Sequence, residues 1–306
     1  MKKILITGAA GCVGHYVCDL FINNPDFHLY LLVRNLKKLK FDPKTISNLT
    51  IIHDDLKNIA NHKAVVKDMD YVIHIAADWG GNEGNFDYSL DLFKMLDPRH
   101  CQKVIYFSTA SILDQDNQPA QEAEKFGTHY IRSKYRLLRE LPKLPIYPRI
   151  KTLYPTWVLG GDKNHPYSHA AQGIVDLEKW LWLLRFFTLD TKFHFIHARD
   201  LALLAKYLLQ NEVKENSFVA GNKPYSASEF LREICAYFQV PVYFQASIPL
   251  SAIRTLAFLS GHKLHPWDNY CLERKYFTYK TVNTATFGLP TDLSSVPQIL
   301  KSLTSK

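Results

Sequence analysis

The chain has 306 residues, of which 47% are hydrophobic and 22% charged, a balance typical of globular proteins with a sizeable core. No apolar run reaches the roughly 18 residues that a membrane span needs, which excludes a transmembrane protein. The net charge of +8 favours anionic ligands. The basic residues are scattered apart from the segment 34–40, however, so the sequence disfavours a nucleic-acid-binding surface.

Five cysteines are present, at positions 12, 18, 101, 235 and 271. Their number is odd and they form no Cys-x-x-Cys pair, which disfavours both a disulfide framework and a zinc site. We therefore expect no bound metal and a reducing, cytoplasmic environment.

The opening stretch, MKKILITGAAGCVGHYVC, has two interpretations. Its lysines, short apolar run and Ala-Ala-Gly-Cys are typical of a lipoprotein signal in which Cys12 is lipidated. The same letters predict a strand, a glycine turn and a helix over 15–23. The following residues favour the second interpretation, because segments of helix length, such as 83–97, alternate with apolar runs at 27–34, 49–56, 70–77 and 102–109.

These apolar runs are nearly continuous, as expected for parallel strands that are buried on both faces. The sequence therefore predicts an α/β fold: a Rossmann-type doubly wound parallel sheet with a smaller, interleaved C-terminal substrate-binding domain. We place an NAD(P)-binding domain at 1–160 and the mainly substrate-binding part at 161–306. Residues 190–212, predicted as a strand and a helix, are expected to return to the first domain.

In the second half of the chain, apolar residues recur in a less regular pattern. Residues 155–173 predict a loop over a pocket, and 226–238 predict a helix capped by Ser226. The WLWLL segment at 180–184 predicts a buried or pocket-lining helix. Five aromatic residues could line an apolar pocket, although core packing is the expected role of most of them. They are Trp157, Trp180, Trp182, Phe186 and Phe187.

The glycines at positions 8, 11 and 14 follow the first predicted strand and precede the first predicted helix. Gly8 permits a tight turn, Gly11 lets the backbone approach a pyrophosphate, and Gly14 lets the helix pack close to the sheet. The helix N-terminus then supplies free N–H groups and a positive dipole end. The segment therefore predicts a dinucleotide phosphate site made of Thr7, Gly8, Ala10, Gly11, Cys12, Val13 and Gly14.

Arg34 stands at the end of the second predicted strand, where a carboxylate commonly binds the ribose hydroxyls of NAD. A basic residue at this position accommodates the 2′-phosphate of NADP instead. We therefore favour NADP as the cofactor, with NAD left open. An alternative role for Arg34 is a solvated strand end.

The chain resembles a known family, the extended short-chain dehydrogenases/reductases, also called the NAD-dependent epimerase/dehydratase family. The resemblance covers most of the chain. It depends on six segments in the family's order: TGAAGCVG at 7–14, DDL at 54–56, HIAA at 74–77, FSTAS at 107–111, YIRSK at 130–134 and HARDLA at 197–202.

By this resemblance, the catalytic residues are Thr109, Tyr130 and Lys134. Ser108 and Ser111 are neighbours that could substitute for Thr109. Tyr130 and Lys134 are four residues apart and so share a helix face. A nearby ammonium, together with an oxidised nicotinamide, is expected to lower the tyrosine pKa from about 10. The resemblance also implies that Lys134 binds the nicotinamide ribose and that Thr109 binds the substrate oxygen.

The resemblance implies further cofactor contacts. Asp55 and Leu56 would lie against the adenine, and Ala76 and Ala77 beneath the cofactor. The segment that follows the sixth predicted strand adds Pro155 and Val158. For these residues the alternative is ordinary packing or capping.

The chain departs from many nucleotide-sugar members at two positions. Tyr154 stands where they carry arginine, and Ile112-Leu113-Asp114 replaces Val-Tyr-Gly. Both departures favour an NAD(P)-dependent oxidoreductase that acts on a small or lipophilic substrate, with Tyr130 as acid/base. The C-terminal stretch 248–261 also resembles members that handle lipophilic ketones.

Two alternatives stay open: a nucleotide-sugar epimerase or dehydratase with tightly bound NAD, and a cofactor-binding regulatory subunit without catalysis. The expected partner is a small-molecule substrate, with no nucleic acid and no membrane span. A homodimer through helices of the cofactor domain is an option that the resemblance suggests.

Overall fold

The computed structural model describes residues 1–77, 84–261 and 263–304. Its strands in chain order are β1 (Lys2–Thr7), β2 (Phe27–Leu32), β3 (Leu49–Ile52), β4 (Tyr71–His74), β5 (Lys103–Phe107), β6 (Ile150–Pro155), β7 (Trp157–Leu159), β8 (Phe187–Thr188), β9 (Lys192–Phe193), β10 (Phe195–His197), β11 (Ser217–Ala220), β12 (Tyr225–Ser226), β13 (Ala246–Ser247) and β14 (Tyr276–Phe277).

The α-helices are α1 (Cys12–Phe21), α2 (Lys63–Lys67), α3 (Gly84–Met95), α4 (Gln121–Phe126), α5 (His129–Glu140), α6 (His169–Leu177), α7 (Leu181–Leu184), α8 (Ala198–Gln210), α9 (Ala227–Tyr237), α10 (Leu250–Leu259), α11 (Pro266–Arg274) and α12 (Val296–Thr304). Short 3-10 helices span Leu36–Lys38, Pro43–Thr45, Leu56–His62, Ala110–Ile112, Leu141–Lys143, Tyr147–Arg149, Glu178–Trp180 and Thr284–Phe287.

The central sheet has seven parallel strands in the order β11-β6-β5-β4-β1-β2-β3. The chain order reverses between β1 and β4, and such a switch point forms a ligand-binding crevice at the carboxyl ends of the strands. This arrangement confirms the predicted doubly wound α/β fold. The opening segment is the strand at the switch point, which confirms the second interpretation of MKKILIT.

Each face of the sheet carries its own core. Ile4 and Ile6 of β1 belong to the cluster that α1 and α8 cover, whereas Leu5 belongs to the opposite cluster, which contains Leu92 of α3 and Leu137 of α5. Burial on both faces explains why the predicted strands are continuous apolar runs rather than alternating ones.

A third cluster lies in the second half of the chain. It joins Phe195 of β10 to Phe230 of α9 and Ile299 of α12, together with Leu159 of β7. Ser226 caps α9 in a capping box with Glu229, as the sequence predicts. Within the described part of the chain, no helix is long and apolar enough to cross a membrane.

Several predicted boundaries are wrong by two to four residues. The second and third strands end at Leu32 and Ile52, because the following residues leave the sheet and form 3-10 turns. The first helix begins at Cys12, three residues earlier than predicted, because Gly11 already occupies the N-cap position. Asp55 caps the 3-10 helix after β3 by accepting a hydrogen bond from the Lys57 amide, 3.1 Å away.

The prediction of a buried or pocket-lining helix at 180–184 is wrong for its tryptophans. Trp180 is 56% exposed and Trp182 is 62% exposed, and only Leu181 of this segment is buried. Trp157 and Phe187 are also exposed, so core packing is not their role. The helix α7 is a single turn, too short to bury more than one face.

Candidate active site

The turn between β1 and α1 forms a cradle of backbone atoms. Gly11 is the N-cap residue of α1, and no side chain among the described residues bonds to the first amides of the helix. An uncapped helix N-terminus offers unpaired N–H donors and the positive end of the helix dipole. The sequence prediction of an anion site here matches this geometry.

The glycines of the cradle leave no room for side chains. A Cβ atom on Gly8 would lie 2.7 Å from the Ala76 nitrogen, and Gly8 has a φ of +80°. A Cβ on Gly14 would lie only 2.1 Å from the Gly8 carbonyl oxygen. The helix therefore packs directly on the loop backbone, and the residues present fit a dinucleotide pyrophosphate.

A buried hydrogen-bond chain ties the cradle to β4 and α3. The Thr7 hydroxyl lies 2.7 Å from His74 Nδ1 and accepts from the Ala76 amide at 3.3 Å. The other ring nitrogen of His74, Nε2, shares a hydrogen bond with the Ser89 hydroxyl at 2.8 Å. Burial lowers the pKa of His74 well below its usual value, which keeps the ring neutral.

At the far end of the cradle, the structure brings Arg34 and Asp55 together. The Arg34 guanidinium lies 3.7 Å from the Asp55 carboxylate, and its side chain is 64% exposed. An exposed pair of this kind contributes little to stability. The guanidinium is therefore accessible to an anion while Asp55 orients it. Leu56 begins the 3-10 helix that follows and packs against the core cluster beneath β3.

The three predicted catalytic residues converge at the carboxyl end of β5. Thr109 caps the 3-10 turn that follows β5, and its hydroxyl lies 3.3 Å from the Ser111 hydroxyl. Tyr130 and Lys134 project from α5, whose own N-cap is Thr128. The buried Lys134 ammonium donates to the Phe107 carbonyl at 2.9 Å and lies 6.0 Å from the centre of the Tyr130 ring.

Burial has the largest effect on the pKa values of Tyr130 and Lys134. It raises the pKa of the Tyr130 phenol above its usual value, and a hydrogen bond with the Thr109 hydroxyl offsets part of that rise. Burial also lowers the pKa of the Lys134 ammonium to about 7. The expected fall in the tyrosine pKa does not occur in the protein alone, because burial disfavours the phenolate and outweighs the Thr109 hydrogen bond.

The remaining predicted cofactor residues line the same edge of the sheet. Pro155 ends β6, and Val158 of β7 packs in the cluster that includes Ala10, Cys12 and Val13 of the cradle. Ala77, after β4, is half-buried.

Tyr154 and Ile112, the two departures from the nucleotide-sugar pattern, are both buried in one apolar cluster. Asp114, which follows, accepts from the Asp116 and Gln118 amides and so closes a turn.

Sequence reasoning did not find Tyr106. Its ring lies 4.7 Å from the Lys134 ammonium and is stacked with His74 at 5.6 Å between ring centres. Tyr106 thereby joins Lys134, the predicted catalytic lysine, to the hydrogen-bond chain from the cradle. The sequence feature that could have identified Tyr106 is its position in β5, directly before Phe107, whose carbonyl Lys134 binds.

A surface cleft of about 670 Å³ lies between α3, α4 and α5. Phe86, Glu124, Phe126 and Arg136 are among the residues that line it. None of the predicted catalytic or cofactor residues lines it, so the cleft is separate from the candidate active site.

The loop after β7 is fixed to α1 by His165. Its Nε2 atom lies 2.6 Å from Asp19, its Nδ1 atom lies 2.8 Å from Asp162, and its ring stacks on Tyr16 at 3.8 Å. Burial opposes the charged ring, but the hydrogen bonds to Asp19 and Asp162 outweigh it and raise the pKa of His165. His197 also faces Tyr16, at 5.5 Å between ring centres.

Comparison with known proteins gives a family. The family model described as the NAD dependent epimerase/dehydratase family matches residues 4–221, more than two thirds of the chain. A comparison with curated proteins finds no significant match.

Solved structures share the fold over nearly the whole chain. The UDP-N-acetylglucosamine 4-epimerase of Methanobrevibacter ruminantium, in complex with UDP-N-acetylmuramic acid, is 18% identical with a TM-score of 0.67, covering 98% of this chain and 96% of that chain. The dTDP-glucose 4,6-dehydratase of Bacillus anthracis, in complex with NAD, is 13% identical with a TM-score of 0.68, covering 99% and 95%. Vestitone reductase from alfalfa is 16% identical with a TM-score of 0.64, covering 99% and 97%. At these identities the likeness shows the fold.

Gly14→Ala is expected to destabilise the protein and weaken cofactor binding, because the new Cβ atom would meet the Gly8 carbonyl. Overpacking of this kind costs about 1–3 kcal/mol. Gly173→Ala is the matched control, since Gly173 lies within α6 and no described heavy atom lies within 4 Å of its Cβ position. That control should be neutral or stabilising by up to roughly 1 kcal/mol. Urea unfolding measures the stability of both variants. Equal stabilities would contradict the close contact between Gly14 and the Gly8 carbonyl.

His165→Gln is expected to lower stability only at the acidic side of neutrality. Because the folded pKa is raised, the contribution of His165 is fully present below the unfolded value near 6.5 and disappears as pH rises through the folded pKa. The difference in melting temperature between wild type and variant should therefore shrink as the pH rises above the unfolded value of about 6.5. His53→Gln controls for the loss of an exposed imidazole. A difference that grows with pH would refute the assignment.

Proposed function

Because the chain belongs to the NAD-dependent epimerase/dehydratase family, we propose that it is an NADP(H)-dependent oxidoreductase that reduces a carbonyl group on a small or lipophilic substrate. The convergence of Thr109, Tyr130 and Lys134 at the carboxyl end of β5 carries this proposal. Members of the family are NAD-dependent enzymes. The choice of NADP and of the reaction is the part that we propose.

In this proposal, the cradle amides and Gly11 hold the pyrophosphate, and Arg34 holds the 2′-phosphate. Asp55 and Leu56 lie by the adenine, and Ala76 and Ala77 lie beneath the cofactor. Pro155 and Val158 contact the nicotinamide end, where Lys134 binds the ribose. The division into an NAD(P)-binding part at 1–160 and a mainly substrate-binding part at 161–306 belongs to the same proposal. The packing of α8 on α1 supports the return of 190–212 to the first part.

Tyr130 acts as the proton donor. Its raised pKa keeps the phenol protonated at neutral pH, which is the form that a carbonyl reduction consumes. Thr109 binds the substrate oxygen and orients it toward the phenol. When bound, the reduced nicotinamide supplies the hydride to the carbonyl carbon. Lys134, with a pKa of about 7, is able to return a proton to the phenolate that remains.

The departures at 112–114 and at Tyr154 support a reductase over a nucleotide-sugar enzyme. Tyr154 is 2% exposed and packs with Ile112 and Leu113, and the Asp114 carboxylate is bonded to the amides of its own turn. No cationic side chain at these positions is available to pair with a sugar diphosphate. The nucleotide-sugar epimerase or dehydratase remains the alternative outcome of the tests. A homodimer also stays a prediction, for which the outer face of the packed pair α3 and α5 is the surface we propose.

Tyr130→Phe is expected to lower turnover of NADPH with lipophilic ketones by about 10²–10⁴-fold, because the proton donor is lost. Affinity for NADPH should change much less. Tyr135→Phe, on the same helix and buried, is the control that should retain turnover. Full activity in Tyr130→Phe would refute the assigned role. NAD retained through purification, with activity on nucleotide sugars and no added nicotinamide, would instead establish the alternative.

Arg34→Gln is expected to weaken NADPH binding by roughly 10–100-fold, the value of a charge-assisted hydrogen bond, with little change for NADH. Intrinsic tryptophan fluorescence titrated with both nucleotides measures the two affinities. Arg99→Gln, an arginine whose side chain is 90% exposed and pairs with Asp97, controls for the loss of surface charge. Equal losses for NADPH and NADH would show that Arg34 does not read the 2′-phosphate.

A further inference from the structure

Exposed apolar side chains are concentrated in two segments of the second half. Among the described residues, 16 large apolar side chains are exposed, and 11 of these lie in residues 177–189 and 243–259. They are Leu177, Trp180, Trp182, Leu183, Phe187, Leu189, Tyr243, Phe244, Leu256, Phe258 and Leu259. We call the surface made by these two segments the apolar face.

The two segments are held together as one surface. The strands β8 and β13 pair in parallel, with the Ala246 amide donating to the Phe186 carbonyl at 2.8 Å. The rings of Phe186 and Phe244 lie 5.2 Å apart, and the Arg185 guanidinium donates to the Pro241 carbonyl at 3.1 Å. The helix α7 leads into β8, and α10 follows β13 within three residues.

The helix α10 is the clearest part of the apolar face. Its sequence, LSAIRTLAFL, has seven apolar residues, yet none of its ten residues is buried. Phe258 is 80% exposed and Leu259 is 73% exposed. A helix of this composition normally buries an apolar stripe, whereas α10 leaves its apolar residues half-buried or exposed and bonds to α11 through the polar side chain of Arg254.

The exposed aromatic area is large for a protein surface. Five aromatic side chains, Trp180, Trp182, Tyr243, Phe244 and Phe258, are each more than half exposed. Since a buried aromatic residue covers about 150–250 Å², these five expose roughly 500–800 Å² in total. Single apolar patches on monomeric proteins rarely exceed about 300–600 Å², and larger ones mark interaction sites.

The charges within the apolar face are mostly positive. Residues 177–189 and 243–259 contain three basic side chains, Lys179, Arg185 and Arg254, and one acidic side chain, Glu178, while Asp176, Asp190 and Lys263 lie beside the two segments. Arg254 pairs with Glu273 at 2.5 Å. The whole chain carries a net charge of +8, so the surface that complements this face is apolar and anionic.

We propose that the apolar face docks on the surface of an anionic lipid bilayer, with α10 lying in the plane of the interface. Tryptophan and tyrosine prefer the headgroup level of a membrane, and lysine and arginine beside them attract anionic lipids. A symmetric dimer through the same face would place its basic residues against one another, which disfavours a second copy as the occupant. The contact is peripheral, since no described helix is able to span a bilayer.

The test is co-flotation of the full chain with vesicles of phosphatidylcholine that contain about 30% phosphatidylserine, compared with pure phosphatidylcholine. Wild type should float with the anionic vesicles and be partly released by added salt. Phe258→Ser combined with Leu259→Ser should lower the partition coefficient by roughly tenfold or more. Both side chains are exposed, so the fold should be unaffected, and an unchanged NADPH titration checks this.

Two further variants sharpen the result. Lys179→Glu combined with Lys263→Glu should weaken binding to the anionic vesicles and reduce its salt dependence. Leu36→Ser, at an exposed leucine outside the apolar face, is the control that should bind like wild type. Wild type that floats with neither vesicle would overturn the proposal, as would equal binding by all variants. A dimer in sedimentation that Phe258→Ser and Leu259→Ser dissociate, without vesicle binding, would assign the face to a second copy.

Discussion

The contact between α1 and the turn that precedes it is the constraint on which the candidate site depends. Gly14 lies so close to the Gly8 carbonyl that no larger residue fits, and a Cβ atom on Gly8 would also be too close to the backbone at Ala76. These two contacts fix the helix N-terminus above the gap between β1 and β4. A helix held farther away would leave its amides out of reach of a phosphate group in the crevice.

The same region connects the cradle to the predicted catalytic residues. His74 is hydrogen-bonded to the Thr7 hydroxyl on one side and to the Ser89 hydroxyl on the other, and it stacks on Tyr106 beside Lys134. Each of these polar groups is buried, so each needs its partner to offset the cost of desolvation. The arrangement makes the position of Lys134 depend on the packing beneath the cradle.

The two halves of the chain differ in how they treat apolar surface. In the first half, helices cover both faces of the sheet, and the strands are almost completely buried. In the second half, the short strand β8, the one-turn helix α7 and the longer helix α10 leave tryptophan, phenylalanine and leucine side chains in solvent. The candidate ligand site therefore lies at the edge of the sheet in the first half. The apolar face of the second half is exposed to solvent, where another surface is able to contact it.

The sequence by itself determined the parallel sheet, the glycine cradle and the membership of Tyr130 and Lys134 in one helix. These features depend on local patterns: continuous apolar runs, glycines at a spacing of three, and a separation of four residues. Only the tertiary structure decided the Arg34–Asp55 pair, the place of Tyr106 beside Lys134, and the exposure of Trp180 and Trp182.

The physical reason is that contacts between distant segments carry no local signature. An apolar run such as WLWLL has the same letters whether a neighbouring helix covers it or not. The pKa of Tyr130 likewise depends on the burial that the surrounding elements create, which is why its direction differs from the one expected from the nearby lysine alone. Local periodicity is a property of the chain, whereas burial is a property of the packed molecule.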